Sequence, residues 1–456
     1  MFVSFSGLKQ ALRSFVGAGT GLALLSAIGA GSAASEAENS ATLIPAVLAD
    51  ACKHDVVMLG EGGLHGAGGT IALKADIAKA LVETCSFDVI LFEPGFYDFT
   101  QLRRLLRDGQ ATNSAMLRSA TGWLLGGVEQ FQPFISYMYE KAAAGQLLLG
   151  GLDYQLGSYR AFYSNDQMLH DLTDGLQPAD RDRCFVSLRG FVYGKQPDGQ
   201  PLNQGHLQTI FKCLDRFEAT LKTSGLSAAR VEDFEGIMIN ILWRLASALQ
   251  PRDVAWNARD KAMFDNLEMA RRTFAKGKKI IVWSVNEHVA KQPRPGAEAD
   301  ASASNQQQKF PFGAYAARAG GGSVFSIGFS AAGGDYRYSF RGTEIVAKPY
   351  PRATEGSLEH SVYKGMEGKP AVYVQPALLQ NMGTLSGAFF GVAPSKARWG
   401  EYFDALIVLK EEEPARVISL PDRCARQSAR CASNFIQLCA DYASGAARGS
   451  SSCGSL

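Results

Sequence analysis

DVVMLGEGGLHGAGGTIALKADIAKALVETCSFDVILFEP, residues 55–94, is the stretch whose pattern decides the fold. Its opening, DVVMLGE (55–61), is a short apolar run that closes on a carboxylate. TIALKADIAKALVETC (70–85) then places Ile71, Ile77, Ala78, Leu81 and Val82 at helical spacing. DVILFEP (88–94) is a second β-rich run, again ending on Glu and stopped by Pro94. Strand, helix and strand at these lengths make a βαβ unit, whose crossover leaves the two strands parallel. The expected class is therefore α/β, a parallel-sheet core flanked by helices.

Further strands extend the pattern. QLLLGGLDYQ (146–155) reads as a third strand ending near Asp153, and KKIIVWSVNEHV (278–289) as a fourth. SVFSIGFS (323–330) is a fifth and DALIVLK (404–410) the last. Residues 97–144 are helix-rich, and a short helix covers 312–319. Residues 160–276 are mostly helical in pattern, with breaks near Pro178, across 194–204 and at Pro251. That block is expected to be an inserted helical subdomain. QPRPGAEADASASNQQQ (292–308) is polar and rich in Pro, Ala and Ser, so it reads as a loop. The expected division is a leader at 1–34, the first half of the core at 35–155 and the helical subdomain at 156–276. The second half of the core occupies 277–422, and a Cys-rich tail 423–456.

The amino terminus has the pattern of a secretory signal peptide. Lys9 and Arg13 precede the apolar, small-residue run 15–30, and GSAAS (31–35) offers cleavage after Ala33 or Ala34. A single membrane anchor is the alternative, but the run is short and glycine-rich for a spanning helix. No later segment reaches roughly 18 uninterrupted apolar residues, so no stable membrane insertion is expected after cleavage. A periplasmic or secreted, bacterial location is the expectation. The net charge of +2 on 456 residues, with no long one-sign run, argues against nucleic acid as a partner. The eight cysteines are an even number in an exported chain, which favours disulfides. Proximity pairs Cys52 with Cys85 and Cys184 with Cys213, leaving two bridges among Cys424, Cys431, Cys439 and Cys453. None has the CxxC spacing of a zinc site.

Active sites of parallel α/β sheets gather beyond the carboxyl ends of the strands. Four of these runs end in polar or titratable residues there: Glu61, Glu93, Asp153 and the trio Asn286, Glu287 and His288. In LGEGGLHG (59–66) the glycines allow a sharp turn that brings Glu61 and His65 to one cavity. His is the usual general base near neutral pH, and a nearby carboxylate fixes its tautomer. Glu93 is costly to bury unless paired, and Arg103 or Arg104 would be its purely structural partner. His288 is suited to holding an oxyanion, protonating a leaving group or binding metal. Asp153 and Gln155 are placed to position substrate or a catalytic histidine. His54, His170, His206 and His360 read as surface or structural residues. There is no G-x-S-x-G elbow, P-loop or H-E-x-x-H motif.

The sequence resembles the erythromycin esterase-like family. The resemblance rests on strand-LGE, the HG pair, a helix containing Lys74 and strand-E. It continues through GWLLGGVEQFQPFISYM (122–138) with Glu129, GLDYQ (151–155) and VWSVNEHVA (282–290). PFGAYAARAGGGSVFSIGFSAAGG (311–334) and YFDALIVLKEEEPAR (402–416) complete it, in the family's order, from about residue 50 to 420. The resemblance implies hydrolysis of a small-molecule ester or lactone, with His65 as the base that activates water. It implies that Glu61 and Glu93 orient that base and that His288 is the second histidine. It places Asp153, Gln155, Asn286, Glu287 and Glu129 on the substrate side. Val285 stands where the family has another histidine, Glu61 and His65 are one residue further apart, and Gly68 and Gly69 replace polar residues. No cofactor is required on this reading. A divalent metal, zinc or manganese, held by Glu61, His65, Glu93 and His288 is the alternative, as is a non-catalytic ligand-binding protein.

Overall fold

Apolar runs separated by helical segments give β1 (Val56–Leu59), β2 (Phe87–Phe92), β3 (Leu148–Gly151), β4 (Lys279–Trp283) and β5 (Val324–Ala331) in a computed structural model. After them come β6 (Asp335–Tyr338), β7 (Val346–Pro349), β8 (Ala371–Val374), β9 (Leu385–Gly387), β10 (Ser395–Ala397) and β11 (Ala405–Leu409). The structure describes residues 40–418 except 63–64, 156–161, 195–197, 251, 294–308, 339–345, 365–367 and 392. The expected leader, the four tail cysteines and most of the 292–308 loop lie outside the described residues.

One seven-stranded sheet runs in the order β3-β2-β4-β1-β5-β11-β8. All its neighbours are parallel except β11 and β8. Its register decides which side chains can meet. Leu59 stands opposite Trp283, Trp283 opposite Phe92, and Phe92 opposite Gly151, so β1, β4, β2 and β3 end level. Helices cover both faces, which is why β1 and β5 are buried along their whole length. Ile71, Ile77, Ala78 and Leu81 of the helix Gly68–Cys85 pack on Val57, Leu59, Ile90 and Phe92. On the other face Met263, Leu267 and Ala270 of the helix Arg252–Arg272 meet Met58, Leu91 and Val282. Each of the larger of these side chains contributes about 1.5–3 kcal/mol by leaving water.

The helix Gly68–Cys85 has no side-chain cap of its own at Ala67. Glu412, just past β11, supplies one by accepting from Thr70 N (3.1 Å) and Thr70 Oγ1 (2.6 Å). A carboxylate there satisfies otherwise orphaned N–H groups and complements the helix dipole. The helical segment comprises Asp166–Thr173, Pro178–Val192, Gln204–Lys222, Ala228–Ala248 and Arg252–Arg272. Its own core of Met168, Leu172, Leu188, Ile210, Leu214, Ile241 and Leu245 is joined to the sheet end through Phe96 and Tyr97. The bridges Cys52–Cys85 and Cys184–Cys213 form, as proximity suggested. Among the described residues no helix is long and apolar enough to cross a membrane.

Two details differ from the sequence reading. The run 278–289 is a strand only to Trp283; Asn286–Val289 is a helical turn, so His288 leaves the sheet plane. The 404–410 strand is the last in the chain, as read, but β8, which lies antiparallel outside it, was not anticipated. β8 is four residues long, too brief for its alternation to stand out.

Candidate active site

Beyond the level strand ends, the backbone ladder continues for a few residues. Ser284 N donates to Leu59 O (3.1 Å), Glu93 N to Trp283 O (2.8 Å), Asp153 N to Glu93 O (2.8 Å) and Asn286 N to Glu61 O (3.0 Å). The main chain at Glu61, Glu93, Asp153 and Asn286 is thus fixed by the sheet rather than by a free loop.

His65 adopts φ 65°, a left-handed conformation unusual for a residue with a Cβ. Its loop is held there because Gly66 O accepts from Arg337 N (2.8 Å) and Ala415 N (3.0 Å). The ring's Nδ1 lies 3.1 Å from Glu61 Oε1, an ion pair whose N–H is off the line of a good hydrogen bond. Its Nε2 has only a loose contact, 3.6 Å to Glu93 Oε2. Lys74 donates to the other oxygen of Glu61 (3.0 Å) and to Ser284 O (3.1 Å), with its ammonium 4.2 Å from the centre of the Trp283 ring.

Glu93 accepts from Ser284 Oγ (2.6 Å) and Val285 N (3.2 Å) on Oε2, and from Arg259 Nη2 (2.9 Å) on Oε1. His288 sits on its other side. Nδ1 of His288 meets Asp260 Oδ1 at 2.8 Å, and that oxygen also accepts from Phe312 N (2.7 Å). Nε2 lies 3.5 Å from Glu93 Oε1 and 3.1 Å from Arg259 Nη1, while Trp256 stacks on the ring. Two imidazoles, each oriented at Nδ1 by a carboxylate, therefore turn Nε2 toward the same buried Glu93.

Electrostatics follow from burial and these partners. Burial alone pushes the His65 pKa down, but the charges of Glu61 and Glu93 outweigh it and raise it to about 10. Burial raises Glu61 and Glu93, yet both end below the usual carboxylate range. Lys74 and His65 hold Glu61 down; His288, His65 and Arg259 hold Glu93 down further. For His288, burial opposes the charge and Asp260 and Glu93 restore it, leaving the pKa raised. The guanidinium works against that proton. Arginine only donates, so a 3.1 Å contact with Nε2 requires the neutral ring with its proton on Nδ1. A protonated His288 and this Arg259 position exclude one another.

The structure brings Glu61, His65, Glu93, Asp153, Asn286 and His288 to the one sheet end. Asp153 Oδ2 accepts from Arg259 Nε (3.0 Å) and Nη2 (2.8 Å). Asn286 ties the loops together, donating to Phe329 O and Phe389 O and accepting from Phe329 N, so its amide is committed to the fold. Gln155 is exposed, with its N–H on Asp153 Oδ1, and Glu287 is partly exposed on the helical turn. Glu129 is not brought in; it is exposed and paired with Arg416. Nor is Glu93 paired with Arg103 or Arg104, which bind Asp233 and Asp171; its partner is Arg259. Sequence reasoning passed over Arg259 and Asp260. Their signal was spacing: Trp256, Arg259, Asp260, Met263, Leu267 and Ala270 fall on one helical face, so two charges interrupt an apolar stripe. The set does not fit a divalent ion. Lys74 and Arg259 each place a cation on one carboxylate oxygen, of Glu61 and of Glu93, where it would repel a metal ion, and among the described residues no three His, Cys, Asp or Glu are arranged around a metal position. A cavity of about 600 Å³ lies elsewhere, between Arg103, Arg107, Leu148, Asp233 and Phe274, and contains none of these groups.

Comparison with known proteins agrees with this architecture. The family model described as erythromycin esterase matches residues 82–412. Among solved structures, a succinoglycan biosynthesis protein is similar over 82% of this chain and 91% of its own, with TM-score 0.64 and 15% identity. A protein from Bacillus cereus is similar over 82% and 92%, with TM-score 0.61 and 16% identity. A mutant of the erythromycin esterase EreC in its open conformation is similar over 83% and 95%, with TM-score 0.60 and 17% identity. Identities this low show a shared fold. No curated protein matches the chain.

Proposed function

The chain belongs to the erythromycin esterase family, and from that premise we propose that it is an exported hydrolase cleaving a small-molecule ester or lactone with water activated by His65. The observation that carries this reading is the pair of carboxylate-oriented imidazoles facing Glu93. Of the two, His65 is the base, because its Nε2 has no close partner whereas that of His288 is occupied by Arg259. Water adds to the carbonyl carbon, its proton passes to His65 Nε2, and the C=O electron pair moves onto oxygen. Collapse of that tetrahedral species breaks the bond to the alkoxide, which leaves with the proton from His65. Glu61 keeps the ring oriented throughout, and Lys74 keeps Glu61 ionised. The two disulfides fit an oxidising compartment, which supports a periplasmic or secreted site of action.

A panel of simple esters, lactones and macrolides tests the proposal, with His65→Asn as control. Asn tolerates left-handed backbone, so its loss of activity would report the imidazole rather than strain. Turnover by the native chain and a fall of about 10²–10⁴-fold in the variant are expected. Val285, in place of a histidine found in the resembling family pattern, favours one other reading, a binding protein without catalysis. Tight ligand binding with no turnover of any panel member would establish it.

A further inference from the structure

Hydrolysis by water places negative charge on the former carbonyl oxygen, and that charge needs preorganised N–H donors. Two backbone N–H groups beside the cluster are already engaged, Val285 N on Glu93 and Asn286 N on Glu61 O. Lys74 is fully buried and committed to Glu61 and Ser284 O. Arg259 is different. Its side chain is 21% exposed, against 8% for Glu93 and 3% each for Asp153 and His288, so it lies on the open side of the cluster. Nε and Nη2 are held by Asp153 and Glu93, which fix the plane of the guanidinium. One N–H of Nη1 meets His288, and no described residue takes the other.

We propose that Arg259, delivered from the helical segment, is the oxyanion-binding residue of this site. This rests on the hydrolase reading and supplies the charge-stabilising group that reading needs. The guanidinium plane is set by two carboxylates before substrate arrives, so little reorganisation accompanies charge development. Nη1 lies 3.1 Å from His288 Nε2, which, like His65 Nε2, is turned toward Glu93. The contact with His288 sharpens the arrangement: while His288 is neutral it holds Nη1 in place, and its protonation would release that donor.

The test uses the full mature chain and two probes, p-nitrophenyl acetate for turnover and the tetrahedral anion p-nitrophenyl methylphosphonate for binding by calorimetry. Arg259→Lys keeps the charge that neutralises Glu93 and Asp153 but lacks the fork, and Arg259→Gln removes both; thermal melts establish that each is folded. Arg259→Lys should lower kcat by about 10²–10³-fold with KM changed less than about threefold, and weaken phosphonate binding at least about tenfold. A folded Arg259→Lys with kcat within about threefold of native would overturn the proposal while leaving the hydrolase standing. So would equal weakening of the phosphonate and of the neutral ester, which is what a merely structural role would give. Should the native chain hydrolyse no ester, the hydrolase reading fails, and the phosphonate still decides: selective loss in Arg259→Lys sustains an anion site, and undiminished or absent binding removes it.

Discussion

His65 is held between two carboxylates, and that placement dictates how any reaction it serves depends on pH. Its pKa of about 10 means the ring carries a proton at neutrality. Using it as a base at pH 7 therefore costs about 4 kcal/mol. The ester kcat/KM should climb about tenfold per pH unit above neutrality and level off near pH 10. Glu61→Gln removes one of the two charges that hold the proton, so its inflection should move to lower pH. A native profile flat between about pH 6 and 9, or an inflection that moves upward in Glu61→Gln, would contradict the assignment. Glu61, Glu93 and Asp153 were legible because each closes an apolar run, where a charge is conspicuous. Arg259 and Asp260 were not, since ARD inside WNARDKAMFDNLEMARR looks like the solvated face of a helix until the face is known. Only tertiary packing says which side of that helix meets the sheet.

The parallel core strands and the helix between the first two follow from hydrophobic periodicity, although the runs read for β3 and β4 extend past their true ends. The hairpin β6–β7 and the edge strand β8 were not readable, because four-residue strands leave too little pattern. The hairpin nevertheless shapes the site. A Cβ on Gly66 would come within 1.5 Å of Arg337 O, so the hairpin backbone lies directly on the His65 loop. Gly66→Ala should push the two apart, destabilising the chain by about 2–3 kcal/mol and lowering turnover at least about tenfold. Gly322→Ala, whose Cβ would meet nothing within 4 Å, is the control for both denaturation and activity. The helical segment is tied differently. Cys184–Cys213 closes a 29-residue separation between two helices far from the cluster, so Cys184→Ser with Cys213→Ser should cost about 3–4 kcal/mol in urea unfolding. Its kcat should be unchanged; a large loss would mean that the segment's internal rigidity reaches Arg259.

At the scale of the molecule, the strand ends bury four acids, Glu61, Glu93, Asp153 and Asp260, against four bases, His65, Lys74, Arg259 and His288. Pairing each acid with a base makes such burial tolerable, but it ties folding to pH. Glu61 and Glu93 titrate below their ordinary range, so their stabilisation is present above about pH 4.5 and is lost as the solution is acidified through their native pKa values. His65 runs the other way. Its native pKa of about 10 exceeds the ordinary 6.5, so its contribution is complete below pH 6.5 and disappears as pH rises toward 10. Glu412, raised by burial to about 7 despite the Thr70 donors, adds a loss between about pH 4.5 and 7, because the native state keeps a proton the unfolded chain releases. These slopes place maximum stability on the mildly acidic side of neutrality, near pH 5. Urea midpoints between pH 4 and 10 should peak there and decline by a few kcal/mol toward pH 10. Glu412→Gln should flatten the decline below pH 7, and His65→Asn the decline above it. A native chain most stable at pH 8–9 would mean that His65 does not hold its proton in the fold. If both slopes hold, catalysis by the deprotonated ring strengthens along the same pH axis on which the fold weakens, since both draw on the one proton between Glu61 and Glu93.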